Sequence, residues 1–96
     1  MIYLDDPNMK IVRNILKKYL PRKKVLVFGS RVKGNVKPYS DLDLCIMGED
    51  PLSLAEIARL REAFSGSDLP IRVDIVEWVN ITAEFQNVIK HCSEEI

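Results

Sequence analysis

Within the stretch Val27 to Met47, VFGSRVKGNVKPYSDLDLCIM, a Gly-Ser pair (Gly29, Ser30) closes one hydrophobic run and an Asp-Leu-Asp (Asp41, Asp43) opens the next. Successive side chains on a strand point to opposite faces, so Asp41 and Asp43 share one face while Leu42, Leu44 and Ile46 take the other, toward a core. Aspartate is a poor strand former, and two of them on one face need a reason. Carboxylates ~4 Å apart repel by roughly 1 kcal/mol in water and by more at lower effective dielectric. A divalent cation is the simplest compensation. Hard oxygen ligands select Mg²⁺ or Mn²⁺, and a few carboxylates that leave open positions suit a metal shared with substrate phosphates.

A further acid lies downstream. In IRVDIVEW, Asp74 stands alone among Val73, Ile75 and Val76. A carboxylate in such a run is either paired or holds a metal, because burying it unpaired is costly. If this run lies beside the strand of Asp41 and Asp43, Asp74 completes a three-carboxylate cluster. At the other end of the stretch, Gly29 permits a sharp bend and a close approach of backbone to ligand. Ser30 adds a hydroxyl, and the amides that follow open a short helical turn whose start favours anions. Together they would hold the terminal phosphates of a nucleotide, although a Gly-Ser pair by itself is more often a plain turn.

Spacing excludes three other sites. A P-loop needs Gly-Lys and then Ser or Thr after its first glycine and four residues, but Gly34 is followed by Asn35 and Val36. An EF-hand loop starting at Asp41 would need glycine where Ile46 stands. A zinc site wants clustered His or Cys, and the single His91 is far in sequence from Cys45.

The elements that must position these groups follow from periodicity. Asp6-Pro7 reads as a helix cap followed by proline, and Met9, Val12, Leu16 and Tyr19 recur at helical spacing until Pro21. KKVLVFG is a first strand, and SDLDLCIMG a second. Ser53 with Glu56 forms a capping box for a helix whose apolar face would comprise Leu54, Ile57, Ala58, the Arg61 stem and Phe64. LPIRVDIVEW is a third strand. A last helix starts near Thr82 and presents Phe85, Val88, Ile89, Cys92 and Ile96 along one side. The expected fold class is α/β (α+β): a small mixed sheet with helices packed on it, in a single domain spanning residues 1–96.

With 14 basic and 14 acidic side chains the formal net charge is zero, which argues against a dedicated nucleic-acid binder. No apolar run is long enough to span a bilayer, and MIYLDDPNMK has neither the basic start nor the apolar stretch of a secretory signal. A cytoplasmic location is therefore expected, with Cys45 and Cys92 as reduced core residues.

GSRVKGNVKPYSDLDL resembles the signature of the minimal nucleotidyltransferases of the DNA polymerase β-like superfamily. The family pattern is Gly-Ser, ten residues, Asp-x-Asp, and Gly29-Ser30, Arg31 through Ser40, then Asp41 and Asp43 match it without a gap. The family's third acid comes from a later strand, a place that Asp74 fills. The resemblance implies a polymerase-β-like palm fold and transfer of AMP from ATP to an acceptor hydroxyl. It implies two Mg²⁺ ions (or Mn²⁺) on Asp41, Asp43 and Asp74, with Asp74 favouring deprotonation of the attacking hydroxyl. It also implies a grip on the β and γ phosphates by Gly29 and Ser30, with positive charge from Arg31 and Lys33 near the triphosphate. Larger members carry a second domain for the acceptor, and nothing in this chain is left for that task. The implied acceptor is a tyrosine of a HEPN-domain toxin, which the nucleotidyltransferase neutralises as its antitoxin. Two alternatives stand beside this. One is an antitoxin that neutralises its partner by binding alone; the other is a nucleotidyltransferase acting on a small molecule or on RNA.

Overall fold

The alternation along Leu42–Ile46 sets the layout. A computed structural model describes residues 1–96. Its elements run α1 (Asp6–Tyr19), β1 (Val25–Phe28), α2 (Ser30–Lys33), β2 (Leu42–Ile46), α3 (Leu54–Ser65), β3 (Val73–Glu77), a 3₁₀ turn (Trp78–Asn80), α4 (Ala83–His91) and β4 (Ser93–Glu95). The four strands form one mixed sheet in the order β3-β2-β1-β4. β1 pairs antiparallel with both β2 and β4, whereas β2 and β3 are parallel. Parallel neighbours need a long crossover, and α3 supplies it.

One face of the sheet is dry. Val25 and Val27 of β1 align with Ile46 and Leu44 of β2. These residues, with Leu42, pack against Val12, Leu16 and Leu20 from α1 and its C-terminal end and against Leu60 and Phe64 of α3. Val12, Val27, Leu42, Leu44 and Leu60 are fully inaccessible to solvent. The opposite face is only partly covered, by α4, whose Ile89 is fully buried and whose Phe85 ring meets Phe28 edge-on at 5.6 Å.

Helix starts carry the expected chemistry with one shift. α1 is capped by Asp5, which accepts from the Asn8 amide, so Asp6 and Pro7 are already helical. Ser53 and Glu56 form the reciprocal capping box, at 3.1 and 3.0 Å. Thr82 caps α4 by accepting from the Phe85 amide.

Two stretches depart from the helical periodicity read above. α4 stops at His91, and Ser93–Glu95 is a strand rather than a continuation of the helix. Val88, expected on the apolar side of that helix, is half exposed. The physical reason for the strand is the free edge of β1: Leu26, Val27 and Phe28 gain ladder partners in Glu95, Glu94 and Ser93, and that pairing outweighs three further helical residues. On α3, Leu54 points to solvent at 90% exposure, while Leu60 takes the core position. Leu54 is the first helical residue after the cap, whereas Leu60 and Phe64 further along the helix join the core.

Candidate active site

The acids come together through strand register. Asp43 of β2 lies directly opposite Asp74 of β3, and on its other side Asp43 pairs with Phe28 of β1. In a parallel pair, residues in register project to the same face, so the two carboxylates stand side by side. Asp41, two residues before Asp43 and just ahead of β2, falls on that face as well. All three are half-buried.

Gly29 is built against this cluster. It closes β1 with φ +78°, in the region that favours glycine. A Cβ placed on it would lie 2.3 Å from Asp43 Oδ2, an impossible contact. The turn therefore requires glycine twice, once for its backbone and once to leave room for the carboxylate. Ser30 begins α2, whose Val32 and Lys33 amides return to the Gly29 carbonyl. Unlike the other three helices, α2 has no side-chain cap at its start. Gly34 ends it in the left-handed region with φ +98°.

Arg31, expected beside the triphosphate, is held by backbone carbonyls. It is the one buried charged side chain, 6% exposed. Its guanidinium donates to three backbone carbonyls: Tyr3 at 2.8 Å, Ser40 at 3.0 Å and Pro38 at 3.4 Å. The Tyr3 amide in turn donates to the Arg31 carbonyl at 2.7 Å. Arg31 thus ties the amino-terminal segment and the 36–40 loop to α2. Ser40 Oγ, accepting from the Lys37 amide at 2.9 Å, tightens the same loop just before Asp41. Lys33 is exposed and free of ion pairs.

Sequence reasoning passed over Arg72. Its guanidinium Nη2 lies 3.1 Å from Asp41 Oδ2 and 3.4 Å from Asp74 Oδ2, bridging two of the three acids. The signal was available: Arg72 stands two residues before Asp74 in an extended segment and so shares its face. The cluster remains short of positive charge, with three carboxylates against one guanidinium. Burial pushes the Asp43 pKa above its ordinary value, and repulsion from Asp74 and then Asp41 adds to the rise, with Arg72 opposing it. Asp41 and then Asp74 push the Arg72 pKa up.

Three hard, under-compensated oxygen donor groups on one face suit a divalent cation such as Mg²⁺ or Mn²⁺. They form no three-ligand cage as they stand, and Asp41 and Asp74 turn oxygens toward Arg72. Asp41 and Asp74 keep 37% and 47% of their side chains exposed. None of the three acids lines the groove of about 540 Å³ between Tyr3, Lys37 and Ile71. The remaining candidates fall outside the cluster. Cys45 is buried and Cys92 half-buried, both with free thiols, and burial pushes the Cys45 thiol up to about 11. His91 is exposed, its Nδ1 2.6 Å from the Asn87 carbonyl.

A small mixed sheet that sets Asp-x-Asp beside a third acid, next to a Gly-Ser turn, is the arrangement of a nucleotidyltransferase. Residues 9–95 match the nucleotidyltransferase domain family, and the chain belongs to it. It is 49% identical over 87 residues, covering 91% of this chain and 76% of the relative, to a Haemophilus influenzae protein named "Probable protein adenylyltransferase MntA". A solved structure assigned as a minimal nucleotidyltransferase superposes with a TM-score of 0.74 at 28% identity, covering 98% of both chains. A chain from the complex of tri-AMPylated Shewanella oneidensis HEPN toxin with MNT antitoxin shares the fold, with a TM-score of 0.68 at 19% identity over 93% of this chain and 68% of that one. Nucleotidyltransferases generally use divalent metals. No helix of this chain is long and apolar enough to cross a membrane.

Proposed function

We propose that this chain transfers AMP from ATP to a tyrosine hydroxyl of a HEPN-type partner toxin in the cytoplasm and so acts as its antitoxin. The observation that carries the chemistry is the in-register pairing of Asp43 with Asp74, with Asp41 on the same face and Gly29 against Asp43. The 49% identity to a protein named as a protein adenylyltransferase supports the acceptor class.

Asp41, Asp43 and Asp74 are the residues to hold the divalent cations, two Mg²⁺ or Mn²⁺, which when bound supply activation of the acceptor hydroxyl and charge neutralisation at the leaving pyrophosphate. The chain's own work is positional. The bare Cα of Gly29 and the Ser30 hydroxyl and amide leave room for and grip the β and γ phosphates. Asp74, on the outer strand, faces the acceptor side and favours loss of the hydroxyl proton. The acceptor oxygen bonds to the α-phosphorus as the α–β bridge breaks and pyrophosphate departs. Arg31 fixes the loop that aims Asp41.

The test is intact-mass analysis of the purified partner after incubation with this protein, ATP and Mg²⁺. The partner gains one or more AMP units. An unchanged mass with neutralisation intact would establish an antitoxin that works by binding alone.

A further inference from the structure

The side chain of Arg72 has no polar partner outside the acid cluster. Its backbone is pinned, because the Arg72 carbonyl accepts from the Leu42 amide at 2.9 Å and holds the start of β3 against β2. The guanidinium itself is 72% exposed, and its only polar partners are Asp41 and Asp74. The base of the side chain is fixed while its head is free to leave. The head sits between two carboxylates of the trio, where a cation shared by them must also sit.

We propose that Arg72 is an internal counter-ion that competes with the divalent cation for Asp41 and Asp74, and that cation loading requires it to swing out to solvent. This rests on the reading of the three acids as the cation site. In the metal-free protein the guanidinium offsets carboxylate repulsion and keeps the strands of the site together. Exposed ion pairs are individually weak, so the two contacts set a threshold for the cation rather than a block, on the order of five- to tenfold in affinity. A dication brings twice the charge in a smaller volume and gathers oxygens that a planar fork can only touch at its edge. The expulsion also delivers a free positive charge to the rim of the site as the cation enters, beside the place where a triphosphate would lie.

The experiment measures Mn²⁺ affinity without nucleotide, by the free-ion electron paramagnetic resonance signal, for the full chain and for Arg72→Gln, Arg72→Lys and Asp41→Asn. Melting temperature is recorded with and without Mn²⁺. The expected result is about five- to tenfold tighter Mn²⁺ binding by Arg72→Gln. Arg72→Lys, which keeps the charge without the fork, falls between it and the unaltered chain, and Asp41→Asn binds more weakly. The metal-free Arg72→Gln protein melts lower than the unaltered chain, and Mn²⁺ restores it. If Arg72→Gln melts lower but binds Mn²⁺ no more tightly, while Asp41→Asn still weakens binding, the competition is overturned and the cation site stands. If Mn²⁺ binding ignores Asp41, the cation site itself is wrong and the competition falls with it.

Discussion

The two faces of β2 live under different physics. Leu42, Leu44 and Ile46 are 0–2% exposed and interlock with α1 and α3, whereas Asp41 and Asp43 stand on the opposite face beside Asp74. On the dry face every side chain has apolar neighbours and its worth is packing. On the acid face like charges are held together against their repulsion, with Arg72 as the single counter-charge. One five-residue strand therefore serves as both the centre of the core and the floor of the site. The rigidity of the first face holds the strain of the second. Substitutions should separate accordingly: core-face changes cost stability, and acid-face changes cost chemistry.

The largest effect belongs to the acids. Replacing Asp41 and Asp43 together by Asn should lower AMP transfer by about 10³-fold or more, since several kcal/mol of transition-state stabilisation go with the cations. Circular dichroism and partner binding should stay unchanged, and a loss of fold would blur the separation of faces. Next comes the core. Leu44→Ala removes a fully buried side chain and should cost about 2–5 kcal/mol by urea unfolding. That is a large part of the roughly 5–14 kcal/mol such a chain can hold.

Gly29→Ala should cross the boundary between the two classes. Its positive φ costs about 1–3 kcal/mol, and its methyl group must push Asp43 aside, so stability and transfer fall together. An alanine variant with full transfer would show that Asp43 need not sit where the structure puts it. Arg31→Gln should behave as a stability change, costing about 1–2 kcal/mol as carbonyls at the loop lose their donors. If instead nucleotide affinity collapsed with stability untouched, Arg31 would belong to the phosphate site after all.

The smallest effect is a pH dependence. The folded pKa of Asp43 lies above the ordinary 3.8, so the metal-free fold binds that proton more tightly than the unfolded chain does. The stability so gained is complete below pH 3.8 and is lost as pH rises through the raised folded value. Asp43→Asn escapes this loss. Its stability relative to the unaltered chain should therefore improve as pH climbs from 3.8 toward neutrality, as read by urea midpoints in a chelating buffer.

Much of this division was legible in residue order. Period-two alternation placed Leu42, Leu44 and Ile46 inward and the two aspartates outward, and a lone acid in a β-branched run marked Asp74. The neighbouring of β2 and β3, on which the cluster depends, was only a supposition, because pairing between strands separated by α3 leaves no local trace. β4 was hidden for a related reason: Ser93, Glu94 and Glu95 have no strand propensity of their own, and the spacing of Phe85, Ile89, Cys92 and Ile96 imitates a helix. The two arginines of the site differ in what residue order reveals. Arginine is ordinarily solvated, so nothing local announces that Arg31 is buried on three carbonyls, whereas the spacing of Arg72 from Asp74 did place the two on one face.

The most direct measurement of the central claim is paramagnetic broadening of backbone amide resonances by substoichiometric Mn²⁺ in the isotope-labelled chain. The account predicts selective loss of the Gly29, Asp41, Asp43 and Asp74 signals, with Glu94 on the far strand persisting longer. Broadening that begins at Glu49 and Asp50 or at Glu94 and Glu95, leaving Asp43 and Asp74 sharp, would contradict it.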